Sequence, residues 1–131
     1  MTPEFRTFLA ELFSVFGPIE IRPLFSFDGL YCEDTIFGVV ADQRVFLKCD
    51  ETMRGRFVGE SAGPFRFRGR DEKEIVTSYY ELPARLYDDP EEAGEWARAA
   101  FAAAQRSPTK KRKVRKGKER VARRRSARIV R

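Results

Sequence analysis

The sequence predicts an α+β fold in two layers, an antiparallel sheet of about five to six strands covered by N- and C-terminal helices, and three observations predict it. Apolar residues recur at helical spacing near each end of the first hundred or so positions. Between them lie short runs rich in aromatic and β-branched residues, which is strand chemistry. The links between three of those runs are two polar residues long, and such links join only neighbouring antiparallel strands, because a parallel neighbour needs a crossover of about a dozen residues.

Each element has its own signal. Thr2 can cap a helix, Pro3 fits the first turn without losing a hydrogen bond, and Glu4 faces the positive end of the helix dipole. Phe5, Phe8, Leu9, Leu12, Phe13 and Phe16 then form one helical stripe, which Gly17-Pro18 ends. Ile19 to Leu24 reads as a first strand. Leu30–Cys32, Ile36–Ala41 and Val45–Cys49 read as a meander, with Asp28-Gly29, Glu33-Asp34 and Asp42-Gln43 as its links. Asp50-Glu51-Thr52 starts a short helix with Met53 and Phe57 on its apolar face, closing before Gly59. After Gly63-Pro64, the alternation Phe65-Arg66-Phe67-Arg68 predicts a half-exposed strand, and a charged loop leads to a last strand from Ile75 to Leu82, stopped by Pro83. Asp89-Pro90-Glu91-Glu92 opens the final helix, whose stripe is Ala93, Trp96, Ala97, Ala100, Phe101 and Ala104.

Charge divides the chain. Of 131 residues, positions 1–106 hold 13 Lys/Arg against 19 Asp/Glu, a net −6, whereas positions 107–131 hold 13 against 1, a net +12. So dense a block of like charge repels itself and has too few apolar residues for a core, so the sequence predicts one folded domain over 1–106 and a disordered basic tail over 107–131. Two cysteines make no disulfide framework, the N-terminus lacks a secretory pattern, and no apolar run nears the roughly 20 residues that span a bilayer. A cytoplasmic protein without a membrane span is the expectation.

Few residues can carry chemistry. There is no histidine, which removes the His-based nucleophile systems and the commonest metal ligand. Cys32 and Cys49 are too few for a thiolate zinc site and read as small buried hydrophobes. Asp28, Asp42 and Asp50 read as turn and cap residues rather than an acidic cluster. Gly29, Gly38 and Gly63 form no nucleotide-binding loop. Phe65, Phe67, Tyr79, Tyr80 and Tyr87, with Arg66 and Arg68, match a base-stacking sheet in type, although packing explains them as well. Lys48, facing the same side as Phe46 on an otherwise apolar strand, is either a phosphate or carboxylate contact or a side chain whose stem covers the sheet. No metal, cofactor or catalytic residue is expected.

The tail carries the functional expectation. Lys110, Lys111, Arg112, Lys113, Arg115, Lys116, Lys118, Arg120, Arg123, Arg124, Arg125, Arg128 and Arg131 surround a single acid, Glu119. Such density suits displacement of counterions from DNA or RNA without sequence preference. Val114, Val121, Ile129 and Val130 are too few to anchor it in lipid.

The body resembles the N-terminal domain of the TfoX/Sxy competence regulators. The resemblance runs through Arg22-Pro23-Leu24-Phe25, Gly29-Leu30-Tyr31, Phe37 to Asp42, Phe46-Leu47-Lys48 and Asp50, then Pro64-Phe65, Ser78 to Pro83 and Trp96 to Ala100. It departs at Phe25-Ser26-Phe27, where the family usually has Phe-Gly-Gly, and in having the basic tail where longer members carry a second domain. The resemblance implies a secretion-chaperone-like α+β fold and a role in regulating gene expression, with a protein partner such as a transcription factor, and supplies no catalytic motif. The expected function is a non-enzymatic regulatory module whose tail binds nucleic acid and whose body binds a protein. The alternative is a stand-alone interaction or chaperone-like domain, a homodimer through a sheet face, whose tail recruits it to acidic surfaces.

Overall fold

In a computed structural model the described residues are 1–106, so the tail expected over 107–131 lies outside them. Helix α1 spans Pro3–Leu12 and starts where its residues signal: the Thr2 hydroxyl accepts from the Phe5 N–H at 3.1 Å. The apolar stripe predicts a helix as far as Phe16, yet the helix stops at Leu12 and residues 13–16 form a turn. Tertiary packing overrides the period here. Phe13 and Phe16 both close on Phe37, at ring separations of 6.0 and 5.1 Å, and the Ser14 hydroxyl takes the Glu11 carbonyl at 2.8 Å.

The sheet contains β1 (Glu20–Leu24), β2 (Phe27–Cys32), β3 (Thr35–Ala41), β4 (Arg44–Lys48), β5 (Pro64–Arg68) and β6 (Glu74–Glu81). Their order is β1-β2-β3-β4-β6-β5 and every pairing is antiparallel. Two of the three expected links are turns. Glu33 and Asp34 lie at φ 51° and 65°, Asp42 and Gln43 at 53° and 57°, the paired positive angles that a two-residue hairpin needs to match strand twist. The third link is misplaced. Asp28-Gly29 lies within β2, and because Leu24 pairs with Phe27 the turn is Phe25-Ser26. Phe25 holds φ 58°, where its Cβ crowds the backbone, so residue type there offers no turn signal. Phe25→Gly should therefore raise stability by about 1 kcal/mol, left-handed strain outweighing the added chain entropy, as a higher denaturation midpoint at unchanged m-value.

A bulge decides which face Phe37 serves. Leu30 pairs with Gly38 and Tyr31 with Ile36, leaving Phe37 unopposed on β3. A Cβ on Gly38 would meet Leu30 Cδ1 and Leu47 Cδ2, both at 3.2 Å, so Gly38 faces the helices, and the extra residue lets its neighbour Phe37 face them too. Val40, Val45, Leu47 and Cys49 join that core, whereas Val39 and Phe46, although buried, serve the other face.

Helices close the first layer. Helix α2, Glu51–Gly59, is capped by Asp50, whose Oδ1 accepts from the Met53 N–H at 3.3 Å, and buries Met53 and Phe57 as its spacing predicts. Helix α3, Pro90–Arg106, is capped by Asp89 and lies over β3 and β4, its buried alanines Ala93, Ala97, Ala100 and Ala104 allowing close approach. Between β6 and α3 runs a 3₁₀ helix, Ala84–Asp88, which is not expected from the sequence. Its Tyr87 hydroxyl accepts from the Val45 N–H at 2.8 Å, and its Arg85 grips Glu60 at 2.6 Å and Glu92 at 2.9 Å. Arg106 reaches Asp50 at 2.7 Å; burial alone would raise the Asp50 carboxyl, but this guanidinium and the Met53 N–H hold it below the usual carboxylate range. The result is a two-layer α+β fold, with a six-stranded sheet and three α-helices among the described residues.

Candidate functional site

The face of the sheet away from the helices is not flat. From β2 to β5 is four strand spacings, about 19 Å in a flat sheet. Yet the Phe27 ring on β2 lies 5.0 Å from Phe65 and 5.3 Å from Phe67 on β5. Two phenylalanine side chains leaning toward each other close less than half of that gap, so the sheet curls and this face is concave. Phe46 fills its floor, 4.8 Å from Phe65, and Phe65 stacks on Phe67 at 5.8 Å. A half-buried aromatic cluster thus covers part of the side that the helices leave open.

The polar end of this concavity gathers charged and hydroxylated groups. The Tyr31 ring lies over Gly29, where a Cβ would stand 2.7 Å from Tyr31 Cε1, and Arg22 lies over that ring at 4.4 Å. Arg22 is itself held by Glu20 at 2.7 Å and Asp34 at 2.6 Å, which pins β1 to the β2–β3 turn. Lys48, paired with Tyr79 across the strands, has its ammonium 5.3 Å from the Tyr79 ring centre and donates to Ser78 Oγ at 2.7 Å. Among the described residues no carboxylate forms an ion pair with it. Burial pushes the Lys48 ammonium below its ordinary pKa, with Asp50 opposing, and burial pushes the Tyr79 hydroxyl above its own.

The cost of burying the Lys48 charge therefore outweighs what Ser78 and Asp50 return. The unfolded chain binds that proton more tightly, so stability rises with pH through the window between the lowered folded pKa and 10.5, and the penalty is fully present below that window. Lys48→Met keeps the stem and removes the charge. It should raise stability at neutral pH and flatten that alkaline rise, as urea titrations at several pH values would record.

The other residues singled out from the sequence separate. Tyr80 packs on Phe57 at 5.6 Å and Tyr87 on Phe8 at 6.3 Å, both on the helix side, so the five aromatics do not share one platform. Phe65 and Phe67 spend their faces on each other and on Phe27. Cys32 on β2 and Cys49, just past β4, are free and have β3 between their strands; burial raises both thiols. Asp42 is a turn residue and Asp50 a cap as expected, whereas Asp28 is a strand residue paired with Val40. Among the described residues no group of three or more His, Cys, Asp or Glu is placed to hold a metal ion, and no helix is long and apolar enough to cross a membrane. The basic residues from Lys110 to Arg131 lie outside the described part.

Sequence reading missed the concavity, the Arg22–Tyr31 stack and the Lys48–Ser78 bond. That Lys48 faces the same side as Phe46 follows from alternation, but nothing local says that β5 bends back over β2. The segments that carry the resemblance now have places in the fold. Arg22 to Phe25 forms β1 and its turn, Gly29-Leu30-Tyr31 the strand beneath Arg22, Phe37 to Asp42 the bulged strand, and Ser78 to Pro83 the partner of β4. No curated protein matches the chain. The model of the family described as the TfoX N-terminal domain matches residues 11–104, nearly the whole of the folded body, and the chain belongs to that family.

Proposed function

We propose that the protein is a non-enzymatic regulator of gene expression, acting in the cytoplasm, in which the folded body binds a protein partner and the basic tail binds nucleic acid without sequence preference. One observation carries this reading: the net −6 of residues 1–106 beside the net +12 of residues 107–131. An acidic body repels a polyphosphate, and a tail with 13 basic residues against one acid attracts it, so affinity for nucleic acid and shape for a protein reside in different parts of one chain. Membership of the TfoX N-terminal family supports a regulatory module, and the core under the helices and the aromatic cluster in the concavity support a body that presents a rigid surface.

The test is binding of the full chain and of residues 1–106 to unrelated duplex DNA and duplex RNA. Binding to every duplex by the full chain, lost in the truncation while its circular dichroism stays folded, is the expected result. Binding retained by the truncation would move the nucleic-acid surface to the body and overturn the division of labour.

A further inference from the structure

We propose that the outer edge of β5 takes up an extended, acidic segment of a protein partner as a further strand of the sheet. The proposal rests on the partner-binding role of the body given above and names the chemistry of that partner. Among the described residues β5 is the last strand in the order and hydrogen-bonds to β6 alone. The Phe65 carbonyl accepts from the Thr77 hydroxyl at 2.9 Å, and the Gly69 N–H donates to the Lys73 carbonyl at 3.0 Å, so residues 65 and 69 aim their backbone groups into the hairpin. Backbone groups alternate sides along a strand, and those of Arg66 and Arg68 therefore point outward. Unpaired N–H and C=O groups in a row are the template for strand addition.

The two ends of the sheet are not equivalent. β1 carries Pro23, which has no N–H to give, and its Arg22 is committed to Glu20, Asp34 and the Tyr31 ring. β5 has no proline beyond its first residue. Phe65 and Phe67 fasten it to Phe27 and Phe46, so the edge is held in strand geometry before anything binds and little ordering cost remains.

Charge selects the occupant. Arg66 and Arg68 are exposed; the only ion pair of Arg66 among the described residues is a loose 3.6 Å contact with Glu74, and Arg68 donates one bond to the Glu72 carbonyl at 2.8 Å, leaving its other N–H groups free of protein partners among the described residues. On the same face Val76, the cross-strand partner of Arg66, is 54% exposed, and on the other face Ile75, the partner of Phe67, is 42% exposed. Guanidinium groups on one face and the exposed Ile75 on the other complement a strand in which carboxylates alternate with aliphatic residues. A second copy of this chain is disfavoured, because antiparallel pairing of β5 with itself sets arginine beside arginine. The basic tail is excluded by the same repulsion.

The experiment uses the full chain and a peptide of alternating glutamate and valine, followed by amide hydrogen exchange. The peptide should slow exchange of the Arg66 and Arg68 amides by about tenfold or more, and a peptide of equal charge with alternate backbone nitrogens methylated should not. Arg66→Pro removes only an outward N–H, so it should abolish the peptide-induced protection of Arg68 with the Phe67 amide still protected. Should that variant unfold, Arg66→Glu with Arg68→Glu carries the test and should weaken binding by about tenfold or more. Binding without protection at Arg66 and Arg68, equal protection by the methylated peptide, or no protection at millimolar peptide would each overturn the proposal. Protection that appears without peptide and grows with protein concentration would overturn it in favour of a second copy. No nucleic acid is present, so these failures leave the reading of the tail untouched.

Discussion

Replacing Phe37 with alanine should lower stability by about 3–5 kcal/mol, the largest expected effect of any single substitution in the body. Phe37 is fully buried at the bulge of β3, where α1 ends and α3 crosses the sheet. Its ring meets Phe13 edge-on at 6.0 Å and 90°, and Phe16 at 5.1 Å; Phe16 in turn meets Phe101 of α3 at 5.8 Å. Truncation forfeits the transfer free energy of the ring and leaves a cavity lined by aromatic rings that are too constrained to collapse into it. Because a small domain has only about 5–15 kcal/mol in total, the variant should be marginal at room temperature. A fall in denaturation midpoint of the expected size at constant m-value supports this account. A loss below about 1 kcal/mol would mean that the core re-closes around the bulge and that Phe37 is not its keystone.

Phe37 also marks the limit of what residue order discloses. Helix starts were legible because caps act locally: Thr2, Asp50 and Asp89 each accept the N–H three residues on, as their residue types announce. Two hairpin turns were legible for the same reason, since Glu33-Asp34 and Asp42-Gln43 are polar breaks between apolar runs. The end of α1 was not, because Phe13 to Phe16 keep helical spacing while their partner Phe37 is more than twenty positions away. Nor was the Phe25-Ser26 turn, where a bulky residue holds a positive φ against its own preference and only the Leu24–Phe27 pairing settles the register.

The candidate site was legible in its parts and not in their arrangement. Lys48 stood out as a cation on an apolar strand, and its orientation beside Phe46 follows from simple alternation. That burial lowers its pKa, and that Ser78 rather than a carboxylate receives it, depends on β4 pairing with β6 across thirty residues of sequence. Likewise the Phe65/Phe67 alternation identified a strand with one apolar face, but the partner of that face is Phe27, brought over by the curl of the whole sheet. Half-buried aromatics packed on one another have little free face left for bases. The structure thereby weakens the sheet as a nucleic-acid surface and leaves that role, in the reading proposed above, to charge.

If the tail is the nucleic-acid element, the affinity of the full chain for duplex DNA should fall by about 10³- to 10⁴-fold between roughly 50 and 200 mM monovalent salt. With six to eight of the tail's 13 basic residues on phosphates, counterion release sets a slope of log K against log salt of roughly −5 to −7. Changing Arg123, Arg124 and Arg125 to glutamine should flatten that slope by about 2 to 3, one contact for each lost charge, and should weaken binding to unrelated sequences equally. Slope is a sharper test than affinity, because hydrogen bonds to base edges add affinity without releasing ions from the backbone. A full chain that prefers one duplex strongly, or whose affinity barely responds to salt, would place recognition in shape and hydrogen bonding and would oust the tail from its proposed role. A steep slope that survives the triple substitution would mean that the charges around Lys110 to Lys118 make the contacts, and would narrow the element to the first half of the tail.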